Sequence, residues 1–281
     1  MKRILLGLSC LTLVATSCTT PTIDTTQLQI VASFYPLAYL AEQVGGEYVT
    51  VTTIVPNGVE PHDFAPTPQD IVAMIEADVL ITNGVGLDNW VTTESNGQSI
   101  SATADSATDP HVWLDPVLMQ DFVQAIADAY SAADAKHKTQ YQNQANLVIA
   151  QLQNLNNSYQ LRLANCELNQ VIVAHDAFTY VAERYDIEIL PILGVNPNET
   201  PSAKTLAELS NLAKTAGIEY IFFEELTSPK LSETLAAEVD AQTLVLSPLE
   251  GLSEEDQTAG DDYFSISERN IDNLALAMRC Q

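Results

Sequence analysis

Short apolar runs alternate with helix-periodic stretches along most of the chain. Gln29–Phe34, Val49–Ile54 and Val79–Thr82 are rich in Val, Ile and Thr and predict strands; 37–44 and 69–76 between them predict helices. The alternation resumes later. Val171–Ala174, Glu188–Ile192, Tyr220–Phe223 and Thr243–Leu246 predict strands, with helices over 178–185, 203–216, 230–239 and 265–279. Pro201 and Pro229 stand at the starts of two of these helices, where a missing N–H costs nothing. Strand–helix alternation on both sides of the midpoint predicts an α/β fold of two lobes, each a mostly parallel sheet flanked by helices.

The middle of the chain reads differently. Residues 115–133 predict one helix, with Pro116 in its first turn. Residues 135–163 contain no Gly or Pro and set Leu147, Ile149, Leu152, Leu155 and Tyr159 roughly on one face. As one helix it would run ~40 Å and form a stiff spine between the lobes; two shorter helices, broken near 154–157, are the alternative. Residues 92–110, rich in Ser, Thr, Ala and Asp, predict a surface loop.

The N-terminus is patterned for export. Lys2 and Arg3 precede an apolar stretch, Ile4 to Ala15, too short for a membrane-spanning anchor, followed by Ala15-Thr16-Ser17-Cys18. Cleavage after Ser17 leaves Cys18 first, placed for lipidation as in bacterial lipoproteins; ordinary secretion is the alternative. The organisation expected is a signal peptide over 1–17, a tether over 18–27, a first lobe over 28–134, a linking helix over 135–165 and a second lobe over 166–281. The product is expected outside the cytoplasm, in the periplasm or at the cell surface, and monomeric. Of four cysteines, only Cys166 and Cys280 then remain in the folded body. In an oxidising compartment they can pair, or they stay as buried thiols. They fit no C-x-x-C metal spacing.

Charge narrows the partners. Among 281 residues, 37 are acidic and 11 basic, a net charge of −26. No basic run exists to neutralise phosphates, which argues against nucleic acid. The field instead favours cations.

Four histidines remain as chemistry: His62, His111, His137 and His175. His62 lies in a Pro-rich turn, His111 in Asp109-Pro110-His111, and His175 directly after a predicted strand. In open α/β sheets ligands bind beyond the carboxyl ends of strands, and imidazoles gathered there suit a borderline-soft divalent metal. Spacing alone does not distinguish this from three ordinary loop histidines. His137, among lysines at a helix start, is assigned to the surface. Trp90 and Trp113 read as packing residues, and Glu224 and Glu225 as hydrogen-bonding groups at a strand end.

The segments Gly58-x-Glu60-Pro61-His62-Asp63-x-x-Pro66-Thr67-Pro68, His111-Val112-Trp113-Leu114-Asp115-Pro116 and His175-Asp176-Ala177-Phe178 resemble the metal-binding lipoproteins of ABC importers, the cluster A-I solute-binding proteins. The likeness continues through Phe222-Phe223-Glu224, Ser228-Pro229-Lys230-Leu231, Ser247 to Leu252 and Asp262-Tyr263-Phe264-Ser265, covering nearly everything from Gln29 onward. It implies two α/β lobes joined by a rigid helix, one metal held at their interface, and a membrane permease as partner. His rather than Glu at position 175 is the zinc-type pattern. Three nitrogens and one oxygen favour Zn2+ over manganese, which prefers oxygen-rich six-coordinate sites. The ligands implied are His62, His111, His175 and a carboxylate. Ser247 stands where many relatives carry Asp, so the run Ser247-Pro248-Leu249-Glu250 offers Glu250; water, Asp261 and Asp262 are its rivals. Glu60 and Asp176, which flank ligands, are placed to orient imidazoles or are simply solvated. Residues 92–110 lack the His-rich loop of many Gram-negative zinc importers, which removes a scavenging role for that loop.

Two other classes stay in view. One is a zinc hydrolase or hydratase with an open three-His site, disfavoured by the absence of an H-E-x-x-H helix. The other is a metal-binding adhesin. The expected activity is zinc capture and delivery to an ABC permease, not catalysis.

Overall fold

A computed structural model describes residues 27–91, 95–103 and 107–281. The signal segment, nearly all of the tether and Cys18 lie outside the described residues.

The first lobe comprises β1 (Leu28–Ala32), α1 (Tyr35–Gly45), β2 (Val49–Thr53), α2 (Pro68–Glu76), β3 (Val79–Thr82), β4 (Gln98–Ser101) and α3 (Leu118–Ala133). Its sheet runs β2-β1-β3-β4, parallel throughout. The period of two along β1 and β3 divides their side chains between two cores. Ile30, Ala32, Val79 and Ile81 face the large cluster under α1 and α3, while Val31 and Leu80 meet Met74 of α2 on the opposite face. A strand buried on both faces reads as a continuous apolar run, and Ile30-Val31-Ala32 does. Thr67 caps α2 in a reciprocal box with Asp70.

One departure falls in this lobe. The stretch expected to be loop contributes β4, paired with β3 from Val79↔Gln98 to Thr82↔Ser101. Gln98-Ser99-Ile100-Ser101 is an edge strand with a single apolar residue, so it carries almost no burial signal.

The middle segment is one helix, α4 (Lys138–Arg162), of 25 residues, without the break near 154–157. It buries Tyr141, Ala145, Val148, Leu152, Leu155, Asn156 and Tyr159, a seam spaced by three and four. Leu147, expected on that face, is 63% exposed, and Val148 packs instead. The helix rests on α1 and α3 of the first lobe and, at its far end, on the C-terminal helix.

The second lobe repeats the plan with β5 (Gln170–Val173), α5 (Thr179–Tyr185), β6 (Glu188–Pro191), α6 (Ala203–Ala216), β7 (Tyr220–Phe223), α7 (Lys230–Val239), β8 (Gln242–Val245), α8 (Glu254–Ala259) and α9 (Tyr263–Ala277). Its sheet order, β6-β5-β7-β8, is again parallel. Ile172 and Ile221 pack under α6 and α7 against Leu209, Ala213, Leu235 and Ala236. Cys166 and Cys280 are joined by a disulfide at an antiparallel bridge, tying the end of the chain after α9 to the segment after α4.

Side chains cross between the lobes around the loop that carries His111. Asp115, 1% exposed, accepts from the Arg184 guanidinium at 2.6–2.7 Å. Trp113 donates its indole N–H to the Pro248 carbonyl at 2.7 Å, and the Tyr263 hydroxyl donates to the Trp113 carbonyl at 2.6 Å. The Tyr180 hydroxyl donates to the Asp109 carbonyl at 3.0 Å. Gly251 lies where an added Cβ would stand 3.7 Å from the Gly58 nitrogen, so the loops of Glu250 and His62 meet nearly backbone to backbone.

Candidate metal centre

Each of the three loop histidines and Glu250 lies beyond the carboxyl end of a strand: His62 after β2, His111 after β4, His175 two residues after β5 and Glu250 after β8. The first two belong to one lobe and the last two to the other, so the four assemble only where the sheets face each other. Their candidate donor atoms all lie within 4.8 Å of one another. Glu250 Oε1 stands 3.3 Å from His62 Nε2, 3.5 Å from His111 Nε2 and 3.8 Å from His175 Nε2, and the last two nitrogens are 3.2 Å apart. Four donors at ~2.05 Å around a tetrahedral ion are separated by ~3.3 Å. The cluster has the size of a zinc coordination shell.

Local chemistry fixes each ligand loop. Glu60 Oε1 accepts the His62 backbone N–H at 3.0 Å and closes the short turn Pro61–Asp63. Asp109 Oδ1 accepts both the His111 backbone N–H at 2.9 Å and the ring Nδ1–H at 2.7 Å. Glu224, 2% exposed, stands 2.7 Å from His175 Nδ1. With Nδ1 occupied in this way, His111 and His175 are left with Nε2 free toward the centre. Leu249 adopts φ 57°, a left-handed conformation that costs a non-glycine residue roughly 1–2 kcal/mol. Its buried side chain anchors that turn and presents Glu250 inward.

The electrostatics are those of an acceptor-rich pocket. His111, His175 and Glu250 are buried, and the His62 side chain is only 7% exposed. Both Glu250 oxygens and His62 Nε2 are buried without a hydrogen-bond partner, a costly state that a cation would relieve. Burial alone would lower the His111 imidazole, but hydrogen bonds and charge from Asp109 and Glu250 outweigh it and push it up to about 9. Burial likewise opposes ionisation of Glu250, yet the surrounding imidazoles hold it well below the usual carboxylate range. Burial, reinforced by the Glu250 charge, pushes Glu60 up to about 9.

Several residues singled out in the sequence fall elsewhere. Asp176 accepts from Thr179 Oγ1 at 3.0 Å in a turn before α5, and its backbone N–H bonds Gly194. The carboxylates on the imidazoles are Asp109 and Glu224. Asp262 caps α9 and Asp261 pairs with Arg269, so both rivals to Glu250 are engaged away from the cluster. Ser247 Oγ accepts from the Leu249 N–H. Trp113, fully buried, packs 5.1 Å from the His111 ring and 4.7 Å from Phe34, while Trp90 packs on Phe64. His137 is half-buried, paired with Asp134 and stacked on Tyr48 at 4.3 Å. Glu224 is the hydrogen-bonding group at a strand end that the sequence suggests, but its His175 partner and the role of Asp109 are not legible there, although a signal for the former exists. The register pairing Ile172 with Ile221, extended three residues along both strands, sets His175 beside Glu224.

Two parallel-sheet lobes on a rigid helix, closing over a buried three-His-one-Glu cluster, define the class of two-lobed metal-binding solute receptors. Residues 30–277 match the family model described as zinc-uptake complex component A, periplasmic, and the chain belongs to that family. It is 34% identical to the high-affinity zinc uptake system protein ZnuA of Bacillus subtilis, over 88% of this chain and 86% of that protein. It is 32% identical to the zinc-binding lipoprotein AdcA of Streptococcus pneumoniae over 88% of this chain, which spans about half of AdcA, 55% of its length. Among solved structures, the Zn(II)-bound ZnuA-like domain of pneumococcal AdcA superposes with a TM-score of 0.79 at 34% identity, covering 90% of this chain and 99% of the domain.

Proposed function

We propose that the protein captures Zn2+ between its two lobes and delivers it to the permease of an ABC importer, with His62, His111, His175 and Glu250 as the four ligands. The observation that carries this reading is the cluster itself: three imidazole nitrogens and a carboxylate, donated by both lobes, buried, and spaced for a single tetrahedral ion. A site divided between lobes suits transport, because separating the lobes splits the ligand set and lowers its affinity. Four protein donors also leave no coordination position for an activated water, which a zinc hydrolase requires. The protein thus acts as a carrier rather than an enzyme, and Zn2+ is its cargo. Asp109 and Glu224 hold their imidazoles in the tautomer and orientation that binding needs.

The remaining organisation follows this role. Residues 1–17 direct export, Cys18 carries the lipid and residues 18–27 tether a monomer to a membrane outside the cytoplasm, in the periplasm or at the cell surface. The first lobe spans 28–134, the linking helix 135–165 and the second lobe 166–281. The test is the metal content of protein purified without chelator from metal-replete cells. One zinc per chain is expected; manganese or iron retained in its place would reject the assignment.

A further inference from the structure

The four candidate ligands are not held alike. Asp109 and Glu224 grip Nδ1 of His111 and His175 directly, and Glu60 closes the turn of His62. Glu250 has no such brace: both of its carboxylate oxygens are buried without a hydrogen-bond partner. A glutamate side chain is long and turns about several bonds. Where this one points is therefore decided by the turn that carries it, Ser247-Pro248-Leu249-Glu250.

That turn is held from outside. Asn270, 1% exposed on the buried face of α9, accepts the Ser247 N–H through Oδ1 at 2.9 Å and donates Nδ2–H to the Ser247 carbonyl at 2.7 Å. One planar amide thus pairs both backbone groups of one residue, as a neighbouring strand would. The task needs an acceptor and a donor on one rigid group, which a carboxylate does not offer. The next carbonyl, that of Pro248, receives the Trp113 indole N–H, and the Leu249 N–H closes on Ser247 Oγ at 3.3 Å. Asn is a poor residue for a helix interior. Asn270 nevertheless stands midway along α9, with its side chain engaged on the turn.

We propose that Asn270 is a positioning residue for zinc binding: acting through Ser247, it holds the turn that aims Glu250 at the three imidazoles. The inference rests on the metal-centre reading above, with Glu250 as the fourth ligand. Without the amide, the Ser247 N–H and carbonyl lose their partners and the turn gains freedom at its first residue. The carboxylate then meets the ion from a range of positions rather than one. It detaches more readily, and zinc left on three nitrogens escapes sooner.

The test is a double-mutant cycle on zinc release, read by transfer of bound zinc to excess chelator at neutral pH. Four forms are compared: wild type, Asn270→Ala, Glu250→Ala and the double variant. Asn270→Ala should release zinc about tenfold faster, the lower end of the range for groups that orient a metal ligand, and should shift the visible spectrum of bound Co2+. In the Glu250→Ala background the same substitution should change release by less than about twofold and leave the cobalt spectrum alone, because the carboxylate it positions is gone. Asn273→Ala serves as control, since it removes a bond of the same kind from α9 to the Val245 carbonyl, ahead of the turn. Its release should stay within about twofold of wild type, as expected of an independent site. If Asn270→Ala does not fold, Asn270→Asp takes its place in the cycle: it keeps the volume and the acceptor for the Ser247 N–H but sets a second acceptor against the Ser247 carbonyl.

Unchanged release in the Asn270 variant, effects that multiply in the double variant, or equal acceleration by Asn273→Ala would each overturn the positioning role and leave Glu250 a ligand. Wild-type release from Glu250→Ala would instead remove Glu250 from the ligand set, and the positioning role with it.

Discussion

Two histidines in this protein are held by an aspartate a few residues upstream, His111 by Asp109 and His137 by Asp134. In both, the carboxylate meets ring Nδ1. The pairs differ in what the other ring nitrogen finds. His111 is fully buried and its Nε2 faces His175 Nε2 and Glu250 Oε1. The His137 ring lies flat on Tyr48 near the surface, and Asp134 is shared with the Tyr141 hydroxyl. A carboxylate-braced imidazole is thus common to both, and only convergence of free nitrogens from both lobes makes a metal site. Under the proposed function, the same local motif braces a metal ligand in one setting and clamps a helix start in the other.

The largest effect should separate the two rings directly. His111→Ala is expected to weaken zinc binding by ~10²–10³-fold, since a four-ligand zinc site worth about 10–16 kcal/mol loses roughly a quarter of its donors. His137→Ala should stay within threefold, both measured by competition with a chelator of known affinity. Comparable losses in the two variants would break the distinction.

Next in size are the braces. Asp109→Asn should cost 10- to 100-fold in zinc affinity, the range for partners that orient a ligating imidazole. Asp134→Asn should leave affinity unchanged.

Proton release sharpens the comparison further. In the metal-free protein His111 titrates near 9, so at pH 7 its ring carries a proton that zinc must displace. The raised value means protonation competes with binding below pH 9, and affinity should fall by up to about tenfold per unit as pH drops. Calorimetry in buffers of different ionisation enthalpy should find about one proton released per zinc at pH 7 and almost none above about pH 10.5. No proton release at pH 7 would contradict the coupling between His111 and Glu250.

The smallest effect belongs to His137. Its replacement by Ala removes the Tyr48 stack and the Asp134 contact, with an expected loss of about 0.5–1.5 kcal/mol in unfolding free energy by denaturant titration.

Legibility in the sequence followed burial. Strands covered on both faces, such as Ile30-Val31-Ala32 and Tyr220 to Phe223, carry enough apolar residues to be read directly. The edge strand β4 and the six-residue helix α8, with Glu254, Glu255 and Asp256 in its first turn, bury too little to leave a pattern. The one-residue phase error on α4, Leu147 for Val148, arose because a seam spaced by three and four tolerates either residue until α1 and α3 are in place. At the site, the grouping of His62, His111, His175 and Glu250 came from resemblance, because ligands from four separate loops have no shared period. Asp109 carries no such signal, and Glu224 reads as a hydrogen-bonding group at a strand end without its partner, for a related reason. A carboxylate's partner is set by strand register and turn geometry, and composition does not report either.

The measurement closest to the central claim is zinc X-ray absorption on the wild type and on Glu250→Ala. The account predicts three imidazole nitrogens at ~2.0–2.1 Å and one carboxylate oxygen at ~2.0–2.2 Å in the wild type. In Glu250→Ala the three nitrogens should remain, a water oxygen should replace the carboxylate, and zinc should leave faster. An identical spectrum and release rate in the two proteins would show that Glu250 is not a ligand and that the site is three histidines and water.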